Sequence, residues 1–251
     1  MPQPLKTLLL SLAVSDLSVG LLVEPFYIGL VIKWLQRDNS NNATCTTFFV
    51  IISFFFAASF FGVMALSVDR FLAVHLHLGY QELVTHKRVV AVVISVWVCS
   101  ALYSLFYLWV SSNIFYNVVV ISGVMCLIVS GVFYCKIYVT VWRHRNQIQA
   151  LKVQQVAQND EIANAAKLRK SVLGVFYVYL VFLLCYLPQY SGFVVVIISD
   201  LKSIGAKVFF HFATTLVFLN SVLNPVVYCW KMRHIRRAVL DILRNIFPSH
   251  D

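Results

Sequence analysis

Charged side chains are scarce in this 251-residue sequence, and that scarcity excludes a soluble globular protein. Asp, Glu, Lys and Arg together make up 12% of the residues, against roughly 25% in soluble domains. Short segments of alternating polarity, the pattern of a membrane β-barrel, are also lacking. The sequence has instead long, almost uncharged runs, and 60% of its residues are hydrophobic. These runs predict an all-α polytopic membrane bundle.

Six segments are each long enough to cross a bilayer, which takes roughly 20 apolar residues as a helix. We expect them to form one transmembrane domain over residues 1–251. The predicted spans are about 8–32, 46–75, 87–110, 114–142, 168–198 and 206–229. The segment at about 231–246 places apolar residues on one face and bases on the other, which predicts an amphipathic helix on the membrane surface.

The net charge of +10 is unevenly distributed along the chain. If the chain starts on the cytoplasmic side, all but four of the 20 Lys and Arg lie on that side; the exceptions are Lys33, Arg37, Lys202 and Lys207. This positive-inside bias makes the basic charge a topology signal. We therefore expect the lipid bilayer, and no nucleic acid, among the partners.

A few ionisable residues do lie inside the spans, where they are costly and mark a working site by default. Asp16 and Glu24 belong to the first span, and the pair Asp69–Arg70 closes the second. Proline, which removes an intrahelical hydrogen bond and kinks a helix, occurs in three spans, as Pro25, Pro188 and Pro225.

A polar stripe runs along the last span. Asn220, Ser221 and Asn224 recur at helical spacing and share one face. Facing Asp16 and Ser59, such a stripe either holds a hard cation or ordered water, or joins the helices by hydrogen bonds. The residues alone leave both possibilities open.

Five motifs in succession resemble those of rhodopsin-like (class A) G-protein-coupled receptors, from residue 5 to about 246. They are LSLAVSDL with Asp16, Asp69-Arg70-Phe71 followed by LAVHLHL, Trp97, FLLCYLP with Phe182 and Pro188, and NPVVY at 224–228. The resemblance implies a plasma-membrane receptor, not an enzyme. It would bind an extracellular ligand within the bundle and activate a heterotrimeric G protein.

The resemblance also implies roles for single residues. Asp69 would hold Arg70 in the resting state, and on activation Arg70 would turn toward Tyr134 and Tyr228. Further G-protein-coupling residues are Leu78, Lys167, Arg169 and Lys170. The matching hinge residues are Phe182, Tyr186, Pro188, Asn224 and Pro225. The allosteric sodium pocket of the family corresponds to Asp16, Ser59, Asn220, Ser221 and Asn224, and no other cofactor is expected.

The resemblance places the ligand pocket among the outer halves of the helices. The expected pocket residues are Glu24, Ile52, Phe56, Gln189, Tyr190, Phe193, His211, Thr214, Thr215 and Phe218. Ile52 replaces the third-helix acid that anchors biogenic amines, and Phe218 stands near the position of the retinal-binding lysine. An amine and retinal are therefore not expected, whereas a neutral nucleoside, a lipid and a small peptide remain open.

The sequence departs from the family pattern in several places. MPQPLKT looks like the first inner loop, so we expect a sequence truncated before its first helix rather than a six-helix variant. Tyr186 replaces the usual tryptophan, and Leu168 replaces an acid that often clamps Arg70, which predicts high basal signalling. The short outer loop SSN has no cysteine to pair with Cys45. This loop, and a fifth helix without proline, resemble the melanocortin, adenosine and lysolipid receptors.

Two alternatives remain beside a signalling receptor. One is a truncated receptor that does not signal and pairs with full-length ones. The other is an ion channel or transporter, against which stands the lack of a pore loop and of internal repeats. Asn42 begins an Asn-Ala-Thr sequon in the first outer loop, which is either glycosylated or a chance triplet.

Overall fold

The computed structural model describes residues 3–36, 42–76, 79–151, 159–199 and 203–231 of the chain. In these ranges the chain forms helices and short turns and no strand. The elements are α1 (Gln3–Ser18), a π-helical turn (Val19–Val23), α2 (Glu24–Leu35), α3 (Asn42–His75), α4 (Tyr80–Leu83), α5 (His86–Phe106), α6 (Ser112–Leu151), α7 (Asn159–Ser199) and α8 (Ile204–Lys231). Residues 232–246 of the predicted surface helix lie outside the described residues.

Within the described part, six segments are long and apolar enough to cross a membrane. They are Gln3–Lys33, Ala43–His75, His86–Phe106, Ser112–Thr140, Tyr179–Ile198 and Ile204–Asn224. Large apolar side chains also point out of the bundle, as along α5, where Ile94, Val98 and Leu102 are all more than half exposed. These side chains suit a hydrocarbon surrounding, and the predicted all-α polytopic bundle is confirmed.

The first span is interrupted by the π-helical turn, which the sequence analysis did not predict. Pro25 has no N–H to donate to the carbonyl of Leu21, and its ring crowds that carbonyl in a regular helix. At this point the helical turn is one residue wider than in an α-helix. The Glu24 N–H donates to the carbonyl of Val19, five residues earlier. Such turns rotate the following residues around the helix axis, so α2 presents a different face to the bundle.

Helix α3 is the centre of the bundle and packs against α1, α5, α6 and α7. Small residues allow α1 to approach it closely, since a Cβ added at Gly62 would lie 3.3 Å from Leu12 Cδ1. Helix α5 is fixed to α1 by the Trp97 indole, whose Nε1 donates to Ser11 Oγ at 3.0 Å. The central position of α3 carries Ser59 and the Asp69–Arg70 pair into the core.

Candidate functional site

The acid–base pair closes the inner end of α3. Arg70 Nε donates to Asp69 Oδ2 at 2.9 Å, and Arg70 Nη2 donates to the same oxygen. Both residues are almost completely buried, with 5% of Asp69 and 2% of Arg70 exposed. Hydrogen bonds between ionised partners are stronger than neutral ones, so this contact holds the guanidinium against its own helix.

A tyrosine that the sequence analysis did not identify also binds the Asp69 carboxylate. The Tyr80 hydroxyl, on the short helix α4, donates to Asp69 Oδ1 at 2.7 Å. Burial and, next, the hydrogen bond to Asp69 raise the pKa of Tyr80 well above its usual value, so the phenol stays protonated at neutral pH and donates. Asp69 thus uses one oxygen for Arg70 and the other for Tyr80.

Helix α4 is held in place from the start of α5. Arg88 Nη1 donates to the carbonyl of Leu83 at 2.9 Å, where the four-residue helix ends. The Thr85 hydroxyl caps α5 by accepting the backbone N–H of Arg88 at 3.5 Å. These contacts fix the inner loop so that Tyr80 reaches Asp69. No residue type or spacing in the loop predicts the hydrogen bond between Tyr80 and Asp69.

The other coupling residues are only partly described. Tyr134 is buried on α6, its hydroxyl 3.2 Å from the hydroxyl of Ser67, one turn before Arg70 on α3, and its ring stacks on Tyr179. Leu78 lies outside the described residues. The side chains of Lys167, Arg169, Lys170 and Tyr228 also lie outside the described part of the chain, as do those of Pro225 and Asn42.

The expected polar cluster forms in mid-bundle between α1, α3 and α8. Asn224 Nδ2 donates to Asp16 Oδ2 at 2.9 Å, and Ser59 Oγ donates to Asp16 Oδ1 at 3.4 Å. The hydroxyls of Ser15 and Ser59 are 3.1 Å apart, and Ser221 is buried. The five residues named from the sequence therefore share one region of the core.

Three atoms of this cluster are buried without a hydrogen-bond partner. They are Asn220 Nδ2, Asn220 Oδ1 and Asn224 Oδ1. Each unsatisfied buried polar atom costs about 1–3 kcal/mol, so a bound partner at these atoms would stabilise the cluster. Its oxygens come from a carboxylate, amides and hydroxyls, which are the ligands that hard cations prefer. The residues therefore fit a small hard cation or ordered water.

Helix α7 carries three of the expected hinge residues, two of which form an aromatic stack. The rings of Phe182 and Tyr186 lie 4.0 Å apart and nearly parallel, and both are buried. Tyr186 also packs edge-on against Phe56 of α3, with ring centroids 6.2 Å apart. Pro188 follows within the same helix. Tyr186 thus joins the mid-bundle core to the outer half of the bundle.

Two adjoining cavities open above this stack. The outer one, about 230 Å³, is lined by residues of α2, α3, α6, α7 and α8; the inner one, about 70 Å³, lies between α3, α5, α6 and α7. They share Ser53, Phe56, Phe115, Gln189 and Phe193. Of the expected pocket residues, those that line one or both cavities are Ile52, Phe56, Gln189, Tyr190, Phe193, His211 and Thr214.

Three expected pocket residues do not line either cavity. Thr215 is exposed on the outside of α8, where its hydroxyl donates to the carbonyl of His211. Phe218 is buried in the core, with its ring against those of Tyr27 and Phe56. Glu24 ends the π-helical turn and is half-buried rather than buried. At these three positions the ligand-pocket assignment stays a prediction.

Tyr27 takes the place in the outer cavity that Glu24 was expected to hold. Its hydroxyl lies 2.6 Å from His211 Nδ1, and Tyr27 is the fourth residue of α2, which directly follows the π-helical turn. Beside it, the hydroxyl of Thr214 lies 3.2 Å from Gln189 Oε1. Among the described lining residues none is Asp, Glu, Lys or Arg. The cavities are therefore aromatic, with neutral polar groups and one histidine.

Comparison with known proteins identifies the class of molecule that has this architecture. The family model described as "7 transmembrane receptor (rhodopsin family)" matches residues 1–117 and 107–228. The chain belongs to this family. The predicted class is thereby confirmed: the receptor is a multi-pass membrane protein of a family of G-protein-coupled receptors, and its named relatives are receptors rather than enzymes.

The relatives of the receptor differ in the ligands for which they are named. The receptor is 26% identical to adenosine receptor A2b of Gallus gallus, over 97% of its own chain and 79% of the relative. It is 23% identical to melanocortin receptor 3 of Rattus norvegicus, over 96% and 75%. It is also 23% identical to octopamine receptor beta-1R of Drosophila melanogaster, over 95% and 54%. The expected adenosine and melanocortin receptors are thus among its relatives.

Proposed function

We propose that the receptor, in the plasma membrane, activates a heterotrimeric G protein through Arg70. The observation that carries this proposal is the buried contact of Arg70 with Asp69, which Tyr80 supports from the inner loop. A cation held this way at the inner mouth of the bundle is available to a cytoplasmic partner as soon as its carboxylate releases it. The family to which the chain belongs supports this assignment.

Direct capture of the partner tests this proposal. The full chain, purified in detergent, is mixed with a panel of heterotrimeric G proteins and treated with apyrase to remove nucleotide. We expect at least one heterotrimer to co-elute with the wild-type receptor and to be released by GTP. Arg70→Ala abolishes co-elution in this account. Equal capture by the Arg70→Ala variant would contradict it.

We further propose that the ligand is an uncharged small molecule with an aromatic group. A cationic amine, such as the octopamine for which one relative is named, needs an anion to pair with, because a buried unpaired charge is strongly unfavourable. The described lining residues include no carboxylate. Adenosine, for which other relatives are named, is uncharged, and its base suits the aromatic walls and the carboxamide of Gln189.

Thermal stability of the purified receptor tests the charge class of the ligand. We expect adenosine to raise the apparent Tm, and adenosine 5′-monophosphate and octopamine to leave it unchanged. Gln189→Leu removes the amide that lines both cavities and should reduce the adenosine shift. A larger shift with octopamine than with adenosine would refute the uncharged class.

We also propose that the mid-bundle cluster binds a sodium ion as an allosteric cofactor. Asp16, Ser59, Asn220, Ser221 and Asn224 would hold it, and the unpartnered oxygens of the two asparagines support this fit. When bound, the ion supplies positive charge that neutralises the buried Asp16 carboxylate. The protein contributes oxygen ligands from three helices, α1, α3 and α8, and the bound ion would link these helices.

Sodium-dependent stability tests this site. We expect NaCl to raise the apparent Tm of the purified receptor above its value in equal choline chloride, because binding to the folded state stabilises it by mass action. Asp16→Asn and Ser59→Ala remove the shift. Ser100→Ala is the control, because Ser100 is as buried as Ser59 but its hydroxyl donates to its own helix at Val96. A shift of equal size in Asp16→Asn would disprove the site.

A further inference from the structure

One glycine of the bundle is covered by an aromatic ring. A Cβ placed on Gly123 of α6 would lie 2.2 Å from Cε1, 2.3 Å from Cζ and 2.5 Å from the hydroxyl oxygen of Tyr190. Carbon atoms in contact lie about 3.5–4.0 Å apart, so no side chain fits there while the ring stays. The tyrosine ring therefore occupies the space that any other residue would need.

This close approach distinguishes Gly123 from the other described glycines. At Gly62 and Gly131 the nearest atom is 3.3 Å from the added Cβ, a distance that small shifts relieve. At Gly20 and Gly29 no atom lies within 4 Å. Gly123 thus leaves space that is filled by the Tyr190 ring, and we call this contact the seat.

The seat lies at the wall of the inner cavity. Gly123, Tyr190 and the neighbouring Ser122 all line it. On its other sides the Tyr190 ring is near Phe60 and Tyr186, with centroids 6.4 and 6.5 Å away. A ring expelled from α6 cannot move farther into α6, so it moves toward the open space, which is the inner cavity.

We propose that Gly123 and Tyr190 together set the depth of the inner cavity and so select the ligand by the size of the group that enters it. The selected group is uncharged and aromatic or alicyclic, because the described walls are mostly aromatic and carry no formal charge. That cavity depth selects the ligand rests on the proposed receptor function. The contact between Gly123 and Tyr190 does not depend on that function.

The experiment measures cavity depth with probes of two sizes and needs neither ligand nor G protein. Ser122→Cys places a thiol in the inner cavity, in a Cys45→Ser background because Cys45 lines the outer cavity as a free thiol. The full chain is treated with methyl or benzyl methanethiosulfonate, both uncharged. Labelling of the peptide with residue 122 is followed by mass spectrometry, and the Cys45→Ser parent gives the background.

Substitutions at the seat should change labelling in opposite directions. Gly123→Ala overpacks this contact and forces the ring to shift into the cavity, where it blocks the thiol and slows methyl labelling roughly tenfold or more. Tyr190→Leu deepens the cavity and allows the benzyl probe to react, and Gly123→Ala with Tyr190→Leu restores the methyl rate. Gly29→Ala, at an open position, changes nothing.

Two results would overturn the proposal. One is an unchanged methyl rate in Gly123→Ala; the other is a benzyl-to-methyl ratio that is the same with Tyr190 and Leu at position 190. If Gly123→Ala does not fold, the Tyr190→Leu ratio decides alone. A positive labelling result without G-protein capture supports the seat and contradicts only the proposed coupling to a G protein, so the two failures are distinguishable.

Discussion

Asp69→Asn raises agonist-independent activation of the G protein and lowers the thermal stability of the receptor. Removing one partner of a buried ion pair leaves the other charge uncompensated, which costs about 3–5 kcal/mol. Arg70 is almost completely buried, and turning toward the cytoplasm restores its solvation. The two effects therefore have one cause, since the movement that relieves Arg70 also presents it to the partner.

Tyr80→Phe should give the same effects at a smaller size. It removes a single hydrogen bond to a charged group, worth about 1.5–3 kcal/mol, and leaves the Arg70 contact in place. Glu82→Gln is the matched control, because it removes one negative charge from an exposed position of the same loop. The measurements are apparent Tm and the rate of GTPγS uptake. A stability loss without increased uptake in Asp69→Asn would separate the pair from activation.

Tyr186→Ala is the second substitution with a large expected effect. It removes a buried ring that stacks on Phe182 and packs against Phe56, and a large-to-small change of this kind costs about 3–5 kcal/mol. Tyr186→Phe keeps the ring and should stay close to wild type, since the described residues provide no hydrogen bond to the Tyr186 hydroxyl.

Apparent Tm in detergent measures this loss. Tyr138→Ala is the control: it removes an aromatic ring that is 68% exposed, and substitutions at such sites change stability by about 0.5 kcal/mol or less. If Tyr186→Ala and Tyr138→Ala lower the Tm equally, the stack does not hold the middle of the bundle together.

The sequence indicated the membrane spans because length and low charge are sufficient to recognise them. It also predicted that Asp16 and Asn224 lie close together although they are 208 residues apart, because both belong to motifs of one known architecture. It did not show how Pro25 would be accommodated. A proline predicts a kink, but whether the helix bends or widens depends on its neighbours, and the wider turn changed which side chains of α2 face inward.

Of the three expected pocket residues that line neither cavity, the wider turn concerns only Glu24, because Thr215 and Phe218 belong to α8. Tyr27 faces His211, whereas Glu24 was expected to face the cavity. Tyr80 and Gly123 were missed for another reason: each is defined by a partner on a different helix, Asp69 in one case and Tyr190 in the other. Periodicity along one helix carries no information about such partners.

Nucleotide exchange on the G protein is the direct test of signalling through Arg70. The full chain is reconstituted in lipid nanodiscs with the heterotrimer it captures, and GTPγS uptake is followed for wild type, Arg70→Ala and Lys87→Ala, an exposed base on the same side. We expect uptake above empty nanodiscs for wild type and Lys87→Ala, and none above that level for Arg70→Ala. Equal uptake by wild type and Arg70→Ala would contradict the account.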